Sequence, residues 1–150
     1  MTANQYWNEF LSSTGKSSQD YVFSGELCFE DRGVTGTQQA FLIQQGKKSC
    51  CFTPFESFQI NMEMLPITGE VYIVEDKNEN PLCIIEVDDV IVLPFKDITW
   101  EMAKQEGEDL DFAQWKERQF EYMKEEADLC GFDFSPDSKV VFEHFHLIYK

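Results

Sequence analysis

The sequence predicts an α+β domain whose strands are mostly antiparallel and curl toward a barrel flanked by helices, and three stretches carry that prediction. Residues 70–75 and 82–92 are β-branched runs joined by the turn-rich 76–81, the pattern of an antiparallel pair. Residues 139–150 alternate apolar and polar side chains and read as a closing strand. Between them, residues 111–129 place Phe112, Trp115, Gln119, Met123 and Ala127 at helical spacing. A length of 150 residues with no internal repeat or linker suits one domain over 1–150, and 43% hydrophobic residues with fourteen Phe supply its core.

From the start, residues 2–12 form an amphipathic helix that Thr2 can cap, with Tyr6, Trp7, Phe10 and Leu11 on one face. A polar loop follows at 12–18, and the aromatic 21–25 fits either a strand or a tight turn. Residues 35–38 have the form of a capping box, opening a helix that bears Ala40, Phe41, Leu42 and Ile43. Gly46 stands where a left-handed C-terminal cap is wanted, and Lys47 and Lys48 lie at the negative end of that helix. Cys50 to Thr53 begin a strand that Pro54 interrupts. Within 82–92, Glu86 shares a face with Ile84 and Asp88, so an acid lies inside an apolar strand. Pro94 ends that strand, Thr99 starts a short helix and Gly107 closes it. Glu117, Glu121 and Glu125 repeat every four residues along the long helix and make a solvated acidic stripe.

The formal net charge of −16, with only twelve Lys plus Arg, leaves no broad basic face for duplex DNA or RNA and permits only a local cationic patch. No window is apolar enough to span a membrane, and the first residues lack the basic start and apolar run of a signal peptide, so a cytoplasmic protein is expected. Cys28, Cys50, Cys51, Cys83 and Cys130 are expected as thiols rather than as a disulfide framework. None has the paired spacing of a zinc site, and His144 and His146 read as hydrogen-bonded histidines, so neither metal nor cofactor is expected.

The residues best suited to chemistry are Lys48, Cys51 and Glu86, expected to meet in one pocket with Gly46, Lys47, Ser49 and Thr53 around them. A cation beside a thiol lowers its pKa from about 8.5 toward neutrality and makes it a nucleophile. An amine and a carboxylate at one place suit proton transfer in acyl or amide chemistry. A separation of three sets Lys48 and Cys51 on opposite faces of a regular strand, so a bend after Gly46 is required.

Five segments in order carry a family resemblance over nearly the whole chain: residues 6–10 (YWNEF), 46–49 (GKKS), 83–95 (CIIEV leading to VLPF), Trp115 in the long helix, and 140–145 (VVFEHF). Together they resemble the ASCH domain family, which implies a PUA-like fold with a cleft beside the G-x-K segment. Members are linked to RNA binding, to RNA cleavage and, in a small bacterial branch, to hydrolysis of the acetyl amide of N4-acetylcytidine. Carried over by motif, that branch's Lys, Thr and Glu fall on Lys48, Cys51 and Glu86. The fuller pattern G-x-K-x-x-E-x-R is not kept, because Cys51 and Thr53 stand at its Glu and Arg positions, and Gln119 stands four residues after Trp115 where related segments often carry His. The resemblance therefore implies a nucleoside-like ligand or single-stranded RNA in a Lys/Cys/Glu cleft. An amidohydrolase activity, a non-catalytic module for RNA or a modified base, and a ribonuclease are the readings it opens.

Overall fold

The computed structural model describes residues 1–28 and 35–150, and the capping box expected at 35–38 falls in part outside the described side chains, which resume at Gln38. Among the described residues, five α-helices, α1 (Ala3–Thr14), α2 (Thr35–Gln44), α3 (Phe55–Ile60), α4 (Trp100–Ala103) and α5 (Phe112–Cys130), accompany five strands, β1 (Val22–Cys28), β2 (Cys50–Pro54), β3 (Glu70–Glu75), β4 (Pro81–Pro94) and β5 (Lys139–Tyr149). The strands form one sheet in the order β1-β3-β4-β5-β2. Only β1 and β3 run parallel; the other neighbours are antiparallel. The aromatic segment at 21–25 is thus resolved as an edge strand. The sheet is open, with β1 and β2 as its edges among the described residues, so the expected barrel is loose rather than closed. It is nonetheless curled, because Leu27 and Cys28 of one edge and Cys51 and Thr53 of the other line the same cavity.

Apolar continuity in β4 has a direct cause. Cys83, Ile84 and Ile85 are all 0% exposed because helices cover both faces of this part of the sheet. On one face Tyr6, Trp7 and Phe10 of α1 pack on Val71, Ile73 and Ile84. On the other, Ala40 and Ile43 of α2 pack on Val74, Cys83, Ile85 and Phe145. A third cluster joins α5 to β2 and the start of β5, where Trp115, Met123 and Ala127 meet Cys50, Phe52, Val140 and Phe142. The α1 start is a complete capping box between Thr2 and Gln5, and Asp111 caps α5 by accepting from the Gln114 amide at 2.8 Å. Glu117, Glu121 and Glu125 lie exposed along α5.

Two glycines place the joint between α2 and β2. At Gly46 (φ +76°) α2 ends in a Schellman turn, with Gly46 N–H donating to the Ile43 carbonyl and Lys47 N–H to that of Leu42, each at 2.9 Å. The chain bends at Lys47, and Lys48 and Ser49 stand ahead of β2 without regular structure, so Lys48 is not held to the strand alternation and lines the same cavity as Cys51. The second, Gly107 (φ +76°), closes the single 3-10 turn after α4 and lies against this joint: a Cβ there would stand 2.3 Å from the Lys47 carbonyl oxygen. Ser49 N–H ties the two segments by donating to the Gln105 carbonyl at 2.9 Å.

This difference between the glycines is measurable by urea denaturation. Gly46→Ala meets no atom within 4 Å and is expected to cost about 1 kcal/mol, the left-handed penalty alone. Gly107→Ala adds a backbone collision and is expected to cost about 3 kcal/mol or more. Equal losses would show that the contact with Lys47 is relieved at no cost.

Candidate functional site: a buried Lys48–Glu106 pair under an open cavity

Lys48 is 2% exposed, and its ammonium group meets the Glu106 carboxylate at 3.0 Å. The other oxygen of Glu106 accepts from the Trp115 indole N–H at 2.6 Å and from the Gln119 side-chain amide at 2.8 Å. Trp115 and Gln119 stand one turn apart on α5, so one helix face delivers both donors to one oxygen. Trp115 is held in turn by its ring, stacked on Phe95 at 5.8 Å and edge-on to Phe52 at 5.0 Å. Its apolar body belongs to the core and its N–H to the site. At the rim, Arg118 binds Asp109 at 2.8 and 3.0 Å and approaches Glu108 at 3.3 Å.

Above this network opens a cavity of about 440 Å³. Its floor includes Lys48, Glu106 and Gln119, and its walls include Cys51, Thr53, Tyr72, Arg118, Tyr122 and Glu143. Glu143 of β5 is directly opposite Cys51 of β2 in the strand register. Directly opposed residues of antiparallel strands hold their Cβ atoms about 5 Å apart, so thiol and carboxyl share one wall.

Electrostatics set the protonation of these groups. Burial works against the Lys48 charge, but the carboxylates of Glu106 and Glu108 outweigh it and hold the amine above the usual lysine value. Burial pushes the Cys51 thiol up to about 12, and Lys48 offsets this only in part. Burial therefore exceeds the effect of a cation already paired with Glu106, which favours the neutral thiol over the nucleophilic thiolate. Burial, aided by the nearby charge of Glu70, raises the Glu143 carboxyl to about 7.

Lys48, Cys51 and Thr53 thus come together at this cavity, and the other expected members do not. Lys47 points to solvent, while Gly46 and Ser49 line a separate pocket of about 270 Å³ beside His144, Phe145 and His146. Glu86 lies on the α1 side of the sheet, where its carboxylate is 3.4 Å from His146 Nε2. The acid expected from β4 is replaced by one from the turn after α4. His146 and His144 both contact Asp88, at 2.7 and 3.3 Å. Glu106 carried one sequence signal, the polar Gln119 inside the apolar stripe of α5, which needs a buried polar partner.

The family model for the ASCH domain matches residues 27–149. The chain belongs to the ASCH domain family. Its fold is similar to that of the ASCH domain from Lactobacillus crispatus JV V101, with a TM-score of 0.87, 25% identity, and coverage of 98% of this chain and 94% of that one. A protein from Enterococcus faecalis V583 is similar at a TM-score of 0.82 and 23% identity, over 97% of this chain and 87% of the other. An ASCH variant protein from Zymomonas mobilis is more distant, at a TM-score of 0.50 and 12% identity over 86% and 72% of the two chains. No curated protein matches the sequence. Among the described residues of this ASCH domain, no helix is long and apolar enough to cross a membrane.

The paired charges make a sharp prediction for stability. Lys48→Met leaves Glu106 charged in the interior with only the Arg118 guanidinium, at 3.7 Å, as an ion-pair partner, and is expected to cost about 3–5 kcal/mol in urea denaturation at pH 8. Adding Glu106→Gln to it is expected to cost less than the sum of the two single losses, and an additive result would show that the pair is not coupled.

Glu143 predicts a pH dependence. Its folded value of about 7 lies above the ordinary 4.5, so between those limits the folded protein holds a proton that the unfolded chain has released. Stability from this group is full below pH 4.5 and lost as pH rises through 7. Relative to the parent, Glu143→Gln is expected to gain up to about 3 kcal/mol between pH 4 and pH 8. A flat difference across that range in paired thermal melts contradicts the assignment.

Proposed function

We propose that this cavity binds a small, uncharged nucleoside-like ligand and hydrolyses an amide on it. The observation that carries the reading is the convergence of the Lys48–Glu106 pair, the Cys51 thiol and several aromatic rings on one cavity of about 440 Å³, a size within the range of small-molecule sites. Tyr72, Tyr122 and Phe58 offer ring faces for a planar base. Among the described residues the lining carries Glu63, Glu106, Glu126 and Glu143 against Lys48 and Arg118, a balance that disfavours phosphate groups. That balance favours a free nucleoside over single-stranded RNA, and binding without chemistry over ribonuclease action if hydrolysis fails.

In this reading Lys48 donates to the amide carbonyl oxygen, with Glu106 fixing its direction, and stabilises the negative charge that gathers there during attack. Cys51, neutral, donates a weak hydrogen bond or packs against the acyl group. Water is the nucleophile, since a thiol with a pKa near 12 supplies almost no thiolate at neutral pH. Glu106 accepts from three donors at once, so it orients Lys48 and is poorly placed to take a proton as well.

Incubation of the pure protein with N4-acetylcytidine, with released cytidine followed by chromatography, tests this directly. Turnover is expected, and Cys51→Ala is expected to retain kcat within about tenfold because the thiol is not the attacking atom. Absence of turnover by the parent protein contradicts the hydrolase reading. Complete loss in Cys51→Ala, with an acyl-thioester trapped on the parent, reinstates a covalent mechanism.

A further inference from the structure

We propose, on the amide-hydrolysis reading above, that Glu143 is the group that takes the proton from the attacking water and returns it to the leaving nitrogen. Hydrolysis through water needs a proton acceptor in the cavity, and the carboxylate nearest Lys48 is already engaged. Glu106 has one oxygen on the Lys48 ammonium and the other on two N–H donors. Glu143 differs in each respect. It lines the cavity, stands opposite Cys51 across the β2–β5 pairing, and its carboxyl makes no hydrogen bond or ion pair with another described residue.

Its position follows from the alternation of β5. Val140 and Phe142 go into the cluster under α5, which turns Glu143 to the opposite face, where the curled sheet encloses the cavity. The charged and titratable groups around it come from several of the elements at the cavity. Lys48 and Cys51 come with β2, Glu70 and Tyr72 with β3, and Arg118 and Glu126 with α5. Glu70 is itself bound by the Tyr72 hydroxyl at 3.2 Å, which keeps a second negative charge near Glu143. Burial and that charge poise the Glu143 carboxyl near 7, where a general base is most effective at neutral pH.

The step balances as follows. As the water oxygen bonds to the amide carbon, one water proton passes to the Glu143 carboxylate and the carbonyl electron pair moves onto the oxygen facing Lys48. When that pair returns, the C–N bond breaks and the proton on Glu143 passes to the leaving nitrogen. One water is consumed, a carboxylic acid and an amine are released, and Glu143 is again ionised.

Hydrolysis of N4-acetylcytidine is measured from pH 5 to 9 for the parent, Glu143→Gln and Glu143→Asp, and cytidine binding is measured by calorimetry. The parent kcat is expected to rise with pH and level off with an inflection near 7. Glu143→Gln is expected to lose at least about a hundredfold in kcat and to lose the inflection, while cytidine binding stays within about threefold. Glu143→Asp is expected to restore part of the rate together with a pH inflection. A Gln variant that keeps kcat within about threefold and the inflection in place overturns the role of Glu143 and leaves the hydrolase reading standing. A Gln variant that loses cytidine binding together with rate overturns it in favour of a binding or structural role. A parent protein without turnover overturns both.

Discussion

An ammonium group removed from water must have a partner, and the rest of this structure is arranged around meeting that requirement for Lys48. The partner, Glu106, comes from a turn 58 residues further along the chain. Bringing it there requires a left-handed turn at Gly46, a second at Gly107, and the packing of one turn on the Lys47 carbonyl. Once in place, Glu106 still has a free oxygen, and α5 satisfies it through Trp115 and Gln119. Breaking such a pair by removing one member costs far more than the pair contributes to stability, so it acts as a constraint on which conformation the chain adopts.

The same constraint joins fold to cavity. Trp115 has its ring among Phe52 and Phe95 and its N–H on Glu106, so the core cluster under α5 sets the position of the acid, and the acid sets the direction of Lys48. The curl of the open sheet then brings its two edges, β1 and β2, to the same opening. Charge in the cavity is divided between groups already matched, such as Lys48 with Glu106, and Glu143, whose carboxyl is raised by burial and by Glu70. The division separates orientation from proton exchange.

Local structure was legible in the sequence, because capping residues, turn residues and alternation are written at short range. The Thr2 cap, the β3–β4 hairpin, the cap at Gly46 and the acidic stripe of α5 all follow from neighbours a few positions apart. The choice of acid was not legible in that way. Glu86 looked enclosed because its strand is apolar on both faces, yet alternation gives a face and not a partner, and that face turns toward His146. Glu106 sits in a 3-10 turn with no periodicity to mark it, and its closeness to Lys48 exists only after α4, α5 and the sheet have packed. Lys48 lies beside Cys51 in sequence, but burial and the prior claim of Glu106 on the cation push the thiol up, and neither is written at short range. The bend after Gly46 lies at Lys47, next to the Schellman turn, and Lys48 stands ahead of the strand that carries Cys51.

If ligand binds in the cavity over the Lys48–Glu106 pair, a titration of the 15N-labelled protein with cytidine reads that binding at the cavity floor. Because Trp115 and Gln119 both donate to Glu106, their indole and side-chain amide resonances report on the cavity floor, and the Arg118 Nε–H reports on its rim. Saturable shifts are expected at these three groups, with little change at His144 and His146. Shifts confined to the two histidines and the neighbouring pocket, with the Trp115 and Gln119 signals unmoved, would contradict it.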